Sequence, residues 1–170
     1  IESLTKWYGR TRGVEEVTFA IEPGEIFGYL GPNGSGKTTT IRCLMGLLRP
    51  NSGQVRVLGE RVVPGRGTQH AHIGYLPGDF RIWGRTTARR ALGLLAALGC
   101  DGSCEARRRE LAARFELNLD RAVGDLSKGN RQKVALLSAF QHGPQVLVLD
   151  EPTAGLDPLM RQAALEVIRE

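Results

Sequence analysis

Apolar positions along the chain switch between two spacings, and each switch marks an element. Residues 4–9 open as a short strand that runs into a turn at Gly9. Residues 14–21 alternate around Val17, Phe19 and Ile21, which predicts a half-exposed strand. Pro23 and Gly24 form a turn, and the mostly apolar run 25–30 then reads as a buried strand. Residues 40–48 carry apolar side chains at helical spacing and end in the turn cluster 49–53. A strand is expected over 54–58, a polar loop over 59–69, and a strand over 72–76 that stops at Pro77 and Gly78. The texture then becomes helical: 87–98 and 105–115, joined by a loop at 99–103, and a third helix over 131–141. Residues 146–150 read as a strand buried on both faces, and Pro158 opens a final helix. Strands at both ends with helices between them predict an α/β fold, with a core of 1–78 and 143–170 and an inserted helical subdomain of 79–142. There is no internal repeat and no low-complexity segment.

Between the strand at 25–30 and the helix at 40–48 lies Gly31, Pro32, Asn33, Gly34, Ser35, Gly36, Lys37, Thr38 and Thr39. This stretch fits G-x-x-x-x-G-K-[ST], the phosphate-binding loop, in the strand-to-helix setting that the motif requires. Gly31, Gly34 and Gly36 let the backbone turn its N–H groups inward around an anion. The following helix adds unpaired N–H groups and the positive end of its dipole. Lys37 is expected to reach the β- and γ-phosphates of a nucleotide, and Thr38 to set its hydroxyl on Mg²⁺. Thr39 is a candidate contact for the α-phosphate. An accidental Gly-rich turn is the plainer reading, and the flanking elements count against it.

The second signal is the apolar run 146–149 followed by Asp150 and Glu151. A carboxylate at the carboxyl end of a buried strand stands where open α/β sheets collect ligands. Asp150 is expected to hold Mg²⁺ opposite Thr38, and Glu151 to orient or deprotonate an attacking water. Strands often end in Asp, so this pattern gains its weight from the phosphate loop.

Composition narrows the field. A chain of 170 residues suffices for one domain with a sizeable core. The net charge of +5 comes mostly from Arg, since Lys occurs only at Lys6, Lys37, Lys128 and Lys133. The basic residues are scattered apart from Arg107, Arg108 and Arg109, read as a solvated helix face, and no nucleic-acid motif is present. The three cysteines, Cys43, Cys100 and Cys104, make no disulfide framework or zinc site, and reduced thiols would suit the cytosol. No apolar run approaches the roughly 18 residues of a membrane span, and no signal peptide is expected. The chain starts at a residue other than Met and stops in a helical pattern, so it reads as a fragment truncated at its C-terminus.

Leu126, Ser127, Lys128, Gly129, Asn130, Arg131, Gln132 and Lys133 resemble the L-S-G-G-Q signature of ABC (ATP-binding cassette) ATPases. The surroundings match in order: the stretch from Asp150 to Pro158 resembles that family's Walker B end and D-loop. Ile73 to Pro77 resembles the approach to its Q-loop, and Tyr8 stands where an aromatic residue stacks on adenine. The resemblance implies a P-loop NTPase core with N-terminal antiparallel strands and an inserted helical subdomain. It implies ATP and Mg²⁺ as ligands and a second ABC domain paired head to tail, so that Ser127 and Gly129 of one cassette cap the nucleotide of the other. Asp157 would help couple the two sites. It also implies integral membrane permease subunits, no nucleic acid, and a cytoplasmic location at the inner face of the membrane. The stretches 74–80 and 155–161 look most like ABC-2-type drug or multidrug exporters. Alternatives are a soluble ABC ATPase, where the short span between Thr39 and Ser127 disfavours the repair and chromosome kinds and leaves the translation kind open, and a binding-only cassette in a heterodimer, disfavoured by Glu151. Phe80, Arg81, Ile82 and Trp83 follow the Q-loop position and read equally as a socket for the membrane subunit or as core.

The chain departs from that pattern at several points. Lys128 and Asn130 replace Gly and Gln of the signature, while Ser127 and Gly129 are kept. Gly78 stands at the Q-loop Gln, and Gln69 and Asp79 are out of register to replace it. The family's switch His would fall beyond Glu170; His70, His72 and His142 read as ordinary surface or partly buried residues.

Overall fold

The computed structural model describes residues 1–66, 70–97 and 104–170. The loop expected at 99–103, with Cys100, lies outside the described residues, as does Gln69. The chain divides into two units, Ile1–Gln69 and His70–Glu170, each with its own packing.

The first unit is organised on β1 (Glu2–Tyr8), which pairs antiparallel with β2 (Thr11–Val17) on one side and β3 (Ser52–Gln54) on the other. Tight pairing of β1 and β2 sets Tyr8 opposite Thr11 and Lys6 opposite Val14. The unit also holds α1 (Lys37–Leu44) and a hairpin of β4 (Arg56–Val57) with β5 (Glu60–Arg61). Leu4, Val14, Cys43, Met45, Val55, Val57 and Val62 are its buried apolar side chains. Burial pushes the Cys43 thiol above its usual range, against a smaller opposing effect from the Lys6 ammonium.

Three expectations change here. The strand predicted over 14–21 ends at Val17, and Phe19 instead stacks on Phe27 with ring centroids 4.9 Å apart. The strand predicted over 54–58 breaks at Val55, whose carbonyl accepts from the Val62 amide, so the two pieces serve different sheets. The buried strand predicted over 25–30 is not one: among the described residues the segment pairs with no strand, and Ile26 and Leu30 are 67% and 90% exposed. An apolar run alone does not bury itself. Strand burial needs a ladder neighbour, and β1 has both of its edges filled by β2 and β3.

The second unit rests on a parallel pair, β6 (Ile73–Leu76) with β7 (Val146–Leu149), in the register Ile73 to Val146 through Leu76 to Leu149. Residues 70–72 form a single 3₁₀ turn before β6. Over this pair lies α4 (Lys128–Phe140), against which α2 (Ala88–Ala96) and α3 (Cys104–Arg114) pack. α5 (Pro158–Arg169) closes the cluster with Met160, Ala164 and Val167. Leu76, Leu92, Leu111, Phe115, Leu136, Leu137 and Phe140 are fully or almost fully buried at its centre. β7 is half-buried along its length rather than buried on both faces, because β6 is its one strand neighbour among the described residues.

Two further readings are corrected in this unit. In the run Arg107 to Arg109, Arg107 and Arg109 are exposed as expected, but Arg108 between them is not. Arg108 is 5% exposed, its Nε donates to Gln141 Oε1 at 2.9 Å and its guanidinium to Glu105 at 2.7 Å. Gln141 Nε2 in turn donates to the Leu92 carbonyl at 3.2 Å, and Arg107 donates to the Phe140 carbonyl. A guanidinium has donors in fixed directions, and here Nε finds its acceptor at the end of α4 and Nη1 on α3. Cys104 is disulfide-bonded, where reduced thiols were expected.

Among the described glycines of this unit, Gly74 is the most tightly enclosed. A Cβ there would overlap the Ala139 carbonyl oxygen and come within 2.7 Å of the Leu147 and Pro144 side chains. The absence of a side chain at this position lets the α4 backbone lie directly on β6. Gly74→Ala is therefore expected to destabilise the protein by about 1–3 kcal/mol, the usual cost of overpacking. A lowered urea midpoint at unchanged m-value checks it.

Candidate nucleotide-binding site

In the first unit the loop 31–36 leads into α1, whose N-cap is Gly36 in the left-handed conformation at φ 90°. A Cβ at Gly36 would meet both the Val14 side chain and the Gly13 carbonyl oxygen, so conformation and space each demand glycine. No side chain caps the helix and no acidic residue lies in its first turn. Lys37 curls back over the loop, with Nζ donating to the carbonyls of Gly31 at 2.6 Å and Pro32 at 2.9 Å. This donor set, an ammonium with a glycine-capped helix start, fits a polyphosphate. Asn33, Gly34 and Ser35 lie exposed along the same loop, as does Thr38 at the second position of α1.

Tyr8 comes to this loop from the end of β1. Its hydroxyl is 3.3 Å from Thr39 Oγ1, and the ring is 46% exposed. Gly13 on β2 makes room for it, since a Cβ there would sit 2.9 Å from the ring. The structure therefore brings Tyr8, Thr39 and the phosphate loop together within one unit.

The second unit gathers the other predicted residues around the end of β7. The Asp150 amide donates to the Leu76 carbonyl at 2.9 Å, extending the parallel ladder by one residue and presenting the carboxylate at its end. Gly78 is beside it: a Cβ at 78 would lie 3.3 Å from Asp150 Oδ2. Glu151 follows with φ 53°, a left-handed backbone that costs a non-glycine residue about 1–3 kcal/mol. Three bonds hold this turn. Ala154 N donates to the Glu151 carbonyl at 3.1 Å, and Gln132 Nε2 reaches the carbonyls of Glu151 at 3.4 Å and Pro152 at 3.0 Å.

The signature helix begins three residues earlier than the sequence pattern suggests. Ser127 is the N-cap of α4 and accepts from the Asn130 amide at 3.2 Å. Ser, Lys, Gly and Asn lack an apolar position to mark a helix, so periodicity starts the element only at Arg131. Gly129 faces the loop after β7, where a Cβ would be 3.0 Å from the Gly155 carbonyl oxygen. The Lys128 stem lies along Gly155, with its methylenes 3.3–3.4 Å from where a Cβ would be. Asp157 ends that loop as the N-cap of α5, its carboxylate accepting from Met160 N at 2.9 Å, with Pro158 in the first turn. Asp150, Glu151, Ser127, Gly129 and Asp157 are thus linked by one packed segment, residues 150–157 against the start of α4.

Gln132 stands within the signature, and its bonds to the Glu151 loop have no sequence signal beyond position in the motif. Beyond Gly78, Phe80 and Ile82 are half-buried against the helical core while Trp83 is 57% exposed, and with Arg81 and Leu95 they line a shallow groove. Burial lowers the His142 imidazole pKa, partly offset by its bond to the Ile73 backbone.

The ABC transporter family profile matches residues 14–154. The chain belongs to the ABC transporter family. It is 38% identical over 165 residues to the probable multidrug ABC transporter ATP-binding protein YbhF of Escherichia coli, covering 95% of this chain and 28% of that protein. It is 36% identical to the Nod factor export ATP-binding protein I of Paraburkholderia xenovorans, covering 99% of this chain and 57% of that protein. The solved structure of an ATP-binding subunit of an ABC transporter superposes with a TM-score of 0.91 at 32% identity, covering 99% of this chain and 72% of that one. The chain therefore spans 28% and 57% of the two curated relatives, and its fold is that of the ABC ATPase cassette.

For this cassette, Gly36→Ala should strain the start of α1. The expected result is a loss of about 1–3 kcal/mol with faster amide exchange over residues 37–40, since both φ and space are violated at once. Exchange at wild-type rates would remove Gly36 as the residue that shapes the loop.

Proposed function

We propose that this cassette binds Mg·ATP and hydrolyses it to power export across a membrane, as a multidrug-type nucleotide-binding subunit. The observation that carries the reading is the glycine-capped start of α1 with Lys37 folded over its loop. The names of the relatives support the exporter class. Lys37 and the loop N–H groups of residues 31–39 would stabilise charge on the β- and γ-phosphates, and Tyr8 would stack on the adenine. Thr38 and Asp150 supply hard oxygen ligands of the kind Mg²⁺ takes, and the bound ion would neutralise charge on the phosphate oxygens. Glu151, presented next to Asp150, would accept the proton of the attacking water.

Two anion-binding helix starts in one chain, at α1 and at α4, favour a head-to-tail pair of cassettes. In such a pair Ser127 and Gly129 of one copy would close on the nucleotide of the other, with Asp157 nearby. The groove at Phe80, Ile82 and Trp83 would receive a separate membrane subunit. The cassette would then lie at the cytoplasmic face of the membrane, with 79–142 as its helical subdomain and with no nucleic-acid partner. Among the described residues no helix is long and apolar enough to cross a membrane. A binding-only role is the second reading, favoured by Gly78, which places no side chain beside the Asp150 carboxylate.

Lys37→Ala should weaken ATP binding about 10- to 150-fold, the size of a lost charge-assisted hydrogen bond. Unchanged affinity in a direct titration would remove the phosphate-loop assignment. Glu151→Gln should keep ATP binding and lower turnover about 10²- to 10⁴-fold, as expected for a lost general base. The mass in solution of that full-length variant should double with Mg·ATP. Wild-type protein that binds ATP without hydrolysing it would select the binding-only reading.

A further inference from the structure

Lys6 stands two residues before Tyr8 on β1 and does not belong to any of the motifs above. Its Nζ donates to the Arg49 carbonyl at 2.8 Å, which fixes the ammonium at one place. From there it lies 5.6 Å from the centroid of the Tyr8 ring, within cation–π range. The same ring is held at its other end by the contact between its hydroxyl and Thr39 Oγ1. Tyr8 is thus anchored at two points, one on its π system and one on its hydroxyl, although nearly half of it is open to solvent. An exposed aromatic at the end of a strand would otherwise sample several rotamers. The Lys6 charge restricts them, and ordering the ring before a ligand arrives removes part of the entropy cost of stacking.

We propose that Lys6 is a positioning residue of the nucleotide site, holding the Tyr8 ring ready for the base of a purine nucleotide. This rests on the reading of Tyr8 as the base-stacking residue. The role belongs to the base end of the ligand alone. Lys6 works through Tyr8, whereas the phosphates are held by Lys37 and the loop amides.

The experiment compares two ligands on the full-length protein: Mg·ATP, which has a base, and Mg·tripolyphosphate, which has none. Lys6→Met keeps most of the stem and removes the charge. It should weaken ATP about two- to fivefold, the size of an exposed cation–π contact, and leave tripolyphosphate affinity unchanged. Lys6→Arg keeps a cation that can lie over the ring and should restore ATP affinity. A merely structural role for Lys6 would weaken both ligands together, and that result overturns the proposal. So does an unchanged ATP affinity in Lys6→Met. Tyr8→Ala separates the two layers of the argument. If it weakens ATP selectively while Lys6→Met does not, the stacking reading stands and the Lys6 inference falls. If Tyr8→Ala leaves ATP affinity unchanged, the stacking reading fails and takes the Lys6 inference with it.

Discussion

The second unit depends on one contact, the α4 backbone lying against β6 at Gly74. A helix packed at side-chain distance from a sheet leaves its ends free to drift. Packed at backbone distance, with Ala139 over Gly74, α4 has its direction fixed. Its N-terminus then arrives beside the loop that leaves β7. Gly129 against Gly155, Lys128 along Gly155, and Gln132 on the carbonyls of Glu151 and Pro152 all follow from that placement. Apolar burial supplies most of the stabilisation in this unit, but backbone proximity decides where the polar groups stand.

The first unit solves the same problem with charge and capping rather than with helix packing. Its loop is shaped by glycine at positive φ and by an ammonium that finds acceptors on its own backbone. Positive φ occurs in each unit: Gly36 carries it without cost, whereas Glu151 carries it at a cost offset by the Gln132 bonds. A left-handed residue directly after a parallel strand turns the chain sharply.

Much of this was legible in the sequence, for reasons that can be named. Phosphate loops and strand-end carboxylates are local patterns, and local geometry follows from a few residues in a row. Helices with clear periodicity, such as α2 and α5, were placed within a residue or two. Residues 25–30 failed because apolar content does not say whether a neighbouring strand is present, and the start of α4 failed because its first residues are polar. Arg108 was read as solvated because Arg usually is. Its burial depends on Gln141 and Leu92, partners far away in sequence, which no window of residues could reveal.

That buried guanidinium changes how the three helices respond to force. Leucines sliding past leucines exchange one apolar contact for another, so a greasy interface can creep. Arg108 cannot: a shift of α3 by one residue would strand its donors away from Gln141, which is itself tied to the Leu92 carbonyl on α2, at the full desolvation cost of the groups left unpaired. The helices are keyed to each other like the wards of a lock. A push delivered to one of them is passed on by all three as a single solid piece, with little lost to slippage inside the bundle.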